Sequence, residues 1–412
     1  MKSETPKVLH TIFEKTLVGY VIEAVNKTNL VDENFVIVGH QAEKVNEYIS
    51  KNFSNSKTVL QSPQLGTGHA VSMVLPHLEN FTGEVIILCG DTPLITEDTL
   101  KEFISSHQDK KSDLTVMSAI FDNPTNYGRI IRNSDDSLNS IVEEKDATSE
   151  QKNIKEVNAG IYCLNWEKIK PAFGELKTNN AQGEYYLTDI IKWANSQNLK
   201  VNAYTLKNNE EIFGINSKAH LAEATRILNS RNIQHHLDNG VTIIDPNTTW
   251  ISSETEIEAD TTIYPNCYIT GKNKIGKNCK IGPFAHLRGD VILEDNVKIG
   301  NFVEVKKTTI KSNTNACHLT YLGDSEIGSD VNIGAGTITA NYNPLTKTKS
   351  KTTIGNSAKI GSNSVLVAPV EIEEGANIAA LSIITKDIPA WSLALTRAPL
   401  KILENWVKKV KK

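Results

Sequence analysis

Three short stretches of this sequence combine residue types that can do chemistry. His318 stands in a polar, aromatic run, Ala316-Cys317-His318-Leu319-Thr320-Tyr321, and a second such run, Thr339-Ala340-Asn341-Tyr342-Asn343, follows it. An imidazole titrates near neutrality, so a histidine there is suited to taking a proton from a nucleophile. Gly90-Asp91 closes the apolar run Val85-Ile86-Ile87-Leu88-Cys89. A carboxylate at the carboxyl end of a buried strand can hold a divalent cation or a ligand. Gln64-Leu65-Gly66-Thr67-Gly68-His69 is a glycine-flanked turn opening a helix, a shape that lets a base or phosphate approach backbone N–H groups. Each stretch has an ordinary alternative: a solvated histidine, a surface carboxylate, a plain turn. The elements that carry them decide.

For His318 that element is a repeat. Every sixth residue from Ile251 is aliphatic: Ile251, Ile257, Ile263, Ile269, Ile275, Ile281, Leu287, Leu293, Ile299 and Val305. A second register runs Ile354, Ile360, Leu366, Ile372, Ile378, Ile384, with Ile327 and Ile333 between the two. Neither a helix nor a flat sheet repeats at six, but a triangular solenoid with three short faces per coil does. Gly276, Gly282, Gly300, Gly328, Gly334, Gly355 and Gly361 each follow an inward aliphatic, as expected where the chain turns with positive φ. The register breaks between Val305 and Ile327 and between Ile333 and Ile354. Both chemical runs fall in those breaks, which predicts loops expelled from a rigid scaffold.

Asp91 and the glycine turn belong to a different fold. From Lys7 to about Asn216, continuous apolar runs such as Phe35-Val36-Ile37-Val38 alternate with amphipathic stretches, the pattern of buried parallel strands in an α/β domain. Ser217 to about Asn239 reads as a connecting helix, with His235-His236 as a solvated surface pair. The expected division is 1–216, a helical linker at 217–240, and a rod at 241–412 ending in a basic tail with Ile402, Trp406 and Val407, packed on the rod. A length of 412 residues suits two domains, and a formal charge of −4 favours neither nucleic acid nor an anionic membrane. The five scattered cysteines, without a C-x-x-C pair, and the absence of a long apolar run point to a cytoplasmic protein with no membrane insertion.

Together these motifs resemble, over nearly the whole chain, the bacterial bifunctional family of glucosamine-1-phosphate acetyltransferases and N-acetylglucosamine-1-phosphate uridyltransferases. The resemblance lies in Pro6 to His10, Gln64 to His69, Gly90 to Leu94, Tyr127 to Ile130, Val142 to Ala147, Asn180 to Tyr186, Ile281 to Arg288, Asn301 to Glu304, and His318 to Asp324. It implies an α/β nucleotidyltransferase domain with a Rossmann-like mixed sheet, followed by a left-handed parallel β-helix of hexapeptide repeats, assembled as a homotrimer. It also implies two reactions on small-molecule substrates: acetyl transfer from acetyl-CoA to glucosamine-1-phosphate, and uridyl transfer from UTP with Mg2+. In the rod it implies His318 as the base, Arg288, Lys306, Tyr321 and Asn332 as contacts to the sugar phosphate, and Ala335, Asn341, Tyr342, Ser362, Ala380 and Arg397 along the acetyl-CoA groove. In the α/β domain it implies Asp91 and Asn216 as metal ligands, Gln61, Gly66, Thr67 and Gly90 at uracil and ribose, Lys7 at phosphate, and Gly128, Glu143 and Asn158 in the sugar pocket.

The chain departs from that family in two places. A first strand and glycine-rich loop ending in Gly-Thr-Arg-Met precede the Lys-Ser-x-x-Pro-Lys segment in the family, and here the chain begins at what resembles that Met. The expectation is an impaired uridyl transfer and a sheet lacking a central strand. The rod before Ile281 also reads as one or two coils shorter, and Cys317 stands where a smaller residue is expected. Two rival readings follow: a nucleotidyltransferase for another sugar with a regulatory β-helix, and a structural rod beside a decayed domain.

Overall fold

The computed structural model describes residues 1–396 and 398–410, and the chain divides into two compact units, Met1–Thr225 and Arg226–Lys412. Arg397 lies outside the described residues.

The first unit is a mixed sheet with helices. Apart from a short hairpin of Thr11–Ile12 and Lys15–Thr16, its strands are β1 (Asn34–Val38), β2 (Ser56–Leu60), β3 (Glu84–Ile87), β4 (Leu114–Ile120), β5 (Arg129–Arg132), β6 (Leu138–Val142), β7 (Glu156–Asn165) and β8 (Val201–Thr205). The order is β8-β4-β7-β5-β6, with β3 also on β7. Among the described residues β1 bonds only to β2, in parallel, so the sheet is in two pieces. β3 does not follow the parallel expectation: its partner β7 runs antiparallel, Ile86 facing Cys163. A continuous apolar run marks burial on both faces, not strand direction, and here even burial is partial. The helices used below are α1 (Leu17–Lys27), α2 (Ala42–Asn52), α3 (Thr67–Ser72) and α4 (Glu97–Asp109). α4 starts at Thr96, whose hydroxyl accepts from Thr99 N, and lays Leu100 and Phe103 on the sheet beside Ile161 and Cys163.

The second unit is a left-handed parallel β-helix whose faces, among the described residues, hold nine, eight and seven strands, here called the first, second and third. Each strand pairs with its equivalent one coil on: Ile251 with Ile269, Ile257 with Ile275, Ile263 with Ile281. All register residues named above are buried in one continuous core. Helix α5 (Lys218–Asp238) covers the first coil. Asn229 donates to Thr249 O at 2.8 Å and accepts from Ile251 N at 2.9 Å, while Asn232 donates to Ile251 O at 2.9 Å. Three ladder groups on one face of that coil are thus satisfied by amide side chains. On the same helix His236 is buried, not solvated, and burial pushes its imidazole down to about 4; His235 alone faces water. Residues one apart on a helix point in different directions, so one of the pair turns inward.

Three further expectations are corrected. The first break is not an expelled loop. Ile310, Ala316 and Leu322 continue the core, and the coil closes by steps of five residues at Val305 to Ile310 and Leu322 to Ile327. His318 therefore ends a strand, Asn315–His318. The second break is a true excursion: Thr339 is buried, the chain then leaves as a hairpin of Tyr342–Asn343 against Thr348–Lys349, and the core resumes at Ile354. Of the seven glycines only Gly282 has positive φ. The turns are instead made by Asn278, Asn296, Asp330 and Asn363 in the left-handed region, which short polar side chains tolerate. The glycines are required by stacking: a Cβ on Gly328 would lie 2.6 Å from Asn356 N, and one on Gly355 2.6 Å from Glu374 N. Finally, Ile402, Trp406 and Val407 of the tail are exposed, because the inward positions of the rod are already filled by aliphatic residues of the coils.

Candidate active sites

In the first unit the residues after β3 converge with the start of the chain and the segment before α5. Lys7 Nζ donates to Asp91 Oδ2 at 2.6 Å and to Asn216 Oδ1 at 2.9 Å. Asp91 is anchored through its carbonyl, which accepts from Ile215 N at 3.0 Å. Two hard oxygens, one anionic, thus point at a single cationic group. That donor set suits Mg2+, which takes one or two carboxylates and carbonyl-type oxygens together with substrate phosphates. Beside them the Cys89 thiol is pushed up to about 12 by burial, then by Asp91, so it stays protonated.

The glycine turn is held from two sides. Gln61 Nε2 donates to Gly66 O at 3.0 Å and lies 3.2 Å from His69 Nδ1. Gly68 N donates to Tyr185 O and Tyr185 N to Leu65 O, both at 2.8 Å, and Leu187 N donates to Thr67 Oγ1 at 3.2 Å. Gly66 has φ 108°, and a Cβ there would meet Tyr185 O at 2.7 Å, so only glycine closes this turn. Gly90 stands beside Val8 and Val18. A third group joins Gly128, Glu143 and Asn158. Asn158 N donates to Gly128 O at 2.8 Å, and a Cβ on Gly128 would sit 3.4 Å from Glu143 Oε2. Burial raises the Glu143 carboxyl, offset by a 3.3 Å hydrogen bond from Thr188 Oγ1. Asn158 is turned by Tyr162 OH, 2.8 Å from its Nδ2, where the register between β4 and β7 shifts and β7 carries the extra residues.

In the second unit one edge of the rod lines up three of the six residues expected around acetyl-CoA, Ala335, Ser362 and Ala380. Leu319 N donates to Asn301 O at 2.9 Å, Gly336 N to His318 O at 3.4 Å, Asn363 N to Ala335 O at 2.7 Å and Leu381 N to Ser362 O at 2.8 Å. Asn301, His318, Ala335, Ser362 and Ala380 therefore hold the same place in successive coils. The exposed imidazole of His318 stands at one end of a track of small side chains, and Asn332 lies outward on the same face. Apolar residues border this edge: Phe284 and Phe302 stack at 5.1 Å, and Leu319 and Leu381 are exposed.

At the other end of the second face's strands lies a charged cluster. Arg288 and Lys306 occupy equivalent positions on adjacent strands, with Gly323 next in the column. Arg288 Nη1 donates to Glu304 Oε1 at 2.6 Å. The Lys349 ammonium, with smaller effects from burial and Arg288, holds Lys306 below the ordinary lysine range. Asn341 bonds both Tyr321 OH, at 3.3 Å, and Asp324, and Lys349 Nζ is 3.7 Å from Asp324. Tyr342 begins the hairpin. Lys349 is not legible in the sequence, since one lysine among the three of Lys347, Lys349 and Lys351 carries no spacing signal; only the hairpin brings it back to Lys306. Within one chain the structure brings Arg288, Lys306, Tyr321 and Asn341 together, and His318 with Ala335, Ser362 and Ala380, at opposite ends of those strands.

No helix among the described residues is long and apolar enough to cross a membrane. Residues 2–240 match the nucleotidyl transferase family, and residues 274–307 and 351–386 match the bacterial transferase hexapeptide family. Proteins similar to this chain carry the name Bifunctional protein GlmU. That of Alkaliphilus metalliredigens is 41% identical over 440 residues, covering 99% of this chain and 95% of its own. That of Geobacillus thermodenitrificans is 42% identical, covering 100% and 95%, and that of Clostridium perfringens 43%, covering 100% and 96%.

Proposed function

The chain belongs to the family of bifunctional GlmU proteins, a family of transferases, and we propose that it makes UDP-N-acetylglucosamine by two transfers on its two units. In the rod, Arg288 and Lys306, with Lys349 beside them, hold the phosphate of glucosamine-1-phosphate; a dianion is matched by clustered cations. His318 takes a proton from the sugar amine as its nitrogen attacks the acetyl carbonyl of acetyl-CoA. The C–N bond forms, the C–S bond breaks, and the proton passes on to the departing thiolate. Ala335, Ser362 and Ala380 leave room for the pantetheine arm, which no bulky side chain would permit. The family resemblance adds Arg397 to the residues proposed for acetyl-CoA.

His318 and the cation cluster stand at opposite ends of the strands in one rod, so a complete acetyl site needs a neighbouring copy, most simply as a trimer. The exposed Phe284, Phe302, Leu319 and Leu381 support this, since apolar strips of that kind mark contact surfaces.

In the α/β unit, the phosphate of N-acetylglucosamine-1-phosphate attacks the α-phosphorus of UTP and pyrophosphate leaves. Asp91 and Asn216 would hold Mg2+, which when bound neutralises charge on the phosphates. Lys7 orients both ligands and adds a positive charge near the leaving group. Gln61, Gly66, Thr67 and Gly90 form the base and ribose side, and Gly128, Glu143 and Asn158 receive the sugar.

The observation that carries this reading is the track of small residues headed by His318. His318→Ala is expected to lower kcat for acetyl transfer by about 10²–10⁴-fold, the range for a lost general base, with uridyl transfer unchanged. Asp91→Ala should do the reverse. Full acetyl transfer by His318→Ala would favour a regulatory rod and end this assignment.

A further inference from the structure

A second cluster lies at the opposite end of β3 from Asp91. Glu84 opens the strand and shares a face with Ile86; Ile86 is opposite Cys163 of β7, and Cys163 is opposite Thr115 of β4. This is the face that α4 covers, and His107 in the last turn of α4 reaches it. One ring nitrogen, Nδ1, is 2.8 Å from Thr115 Oγ1. The other, Nε2, has no hydrogen-bond partner although His107 is only 1% exposed. Glu84 Oε1 stands 3.8 Å from it, too far for a hydrogen bond, while Glu84 Oε2 accepts from Gln108 Nε2 at 2.8 Å and so fixes the carboxylate. An imidazole nitrogen, a Glu84 oxygen and Cys163 Sγ all lie within 4.8 Å of one another.

We propose that Glu84, His107 and Cys163 bind Zn2+ or a divalent cation of its class, with water as the fourth ligand on the side where Glu84 meets solvent. A buried, unpaired ring nitrogen is costly, and a cation satisfies it without a new protein group. Metal bonds of about 2.0 Å to nitrogen or oxygen and about 2.3 Å to sulfur place these tetrahedral ligands roughly 3.3–3.5 Å apart, so spacings of up to 4.8 Å close by about 1.5 Å at most. Thiolate and imidazole select a softer ion than the oxygen pair Asp91 and Asn216, so the two ends of β3 sort different cations. Because the ligands come from β3, α4 and β7, the ion ties the helix to two strands and stabilises the first unit independently of substrate.

The test is a Co2+ titration of the full, chelator-treated chain. One equivalent should give a thiolate-to-cobalt charge-transfer band, displaced by Zn2+ and unaffected by excess Mg2+, and Zn2+ should raise the midpoint of thermal unfolding. Cys163→Ala should abolish both effects. Glu84→Gln, at a surface position that keeps the fold, should weaken Co2+ binding at least tenfold. Absence of the band and of the thermal shift in the wild type, a band that survives Cys163→Ala, or displacement by Mg2+ would each overturn the site.

Discussion

Gly334→Ala tests the claim that coil stacking, not turn geometry, demands the glycines. A Cβ at Gly334 would lie 2.5 Å from Ser362 N and 2.7 Å from Ile360 O, both backbone atoms, where 3.4 Å is ordinary contact. The coils must separate locally by about 0.9 Å. Gly334 N to Ile360 O, now 2.8 Å, and Asn363 N to Ala335 O, now 2.7 Å, would then pass beyond hydrogen-bonding distance. Two hydrogen bonds at about 1 kcal/mol each, added to about 1–3 kcal/mol of overpacking strain, come to about 3–5 kcal/mol. For a unit of this size that is a fall of roughly 6–20 °C in the rod's unfolding midpoint, measured by calorimetry. Because Ala335 moves with it, kcat/KM for acetyl-CoA should fall by about 10²-fold, the cost of a displacement of about 1 Å. Uridyl transfer should stay within about twofold. Gly174→Ala is the control, since nothing lies within 4 Å of a Cβ there. A Gly334→Ala protein with wild-type midpoint and wild-type acetyl transfer would refute the stacking argument.

Two further outcomes follow from the geometry. Arg288→Ala removes one of two equivalent cations and frees Glu304 to repel the phosphate, so KM for glucosamine-1-phosphate should rise by about 10–10²-fold with the acetyl-CoA KM unchanged; steady-state kinetics with each substrate varied decides, and an unchanged sugar-phosphate KM would remove Arg288 from the site. His236 accepts a proton near pH 6.5 when unfolded but only at about 4 in the fold. Its contribution is therefore fully present above about pH 6.5 and is lost as pH falls towards 4, on the order of 3 kcal/mol in all. His236→Gln should flatten the rod's midpoint between pH 7 and 4.5, and a slope as steep as wild type would assign the effect elsewhere.

The rod was legible because a period of six has no competing explanation, and Ile251 to Val305 all point inward as that period requires. The five-residue steps around Ala316 were not legible: removing one residue from a corner shifts the register without altering residue types, so a shortened coil reads like an ejected loop. The direction of β3 was hidden because apolar runs report burial and not pairing. His107 and Cys163 are far apart in the sequence and sit on unremarkable helix and strand positions; only the packing of α4 on β7 brings them together. Asp91, Gln61 and His318 could be picked out because their neighbours form motifs, whereas Lys349 reaches Lys306 only through a hairpin.

The asparagines of α5 also bear on how these molecules behave at high concentration. A stack of parallel strands presents, at its first coil, a row of groups ready to bond another stack, and such ends polymerise. On one face Asn229 and Asn232 occupy three of those groups, Thr249 O, Ile251 N and Ile251 O, with side chains that cannot be continued as a strand. The helix is thereby a stopper against filament growth, and a chain cut back beyond it would be expected to elongate end to end into fibres.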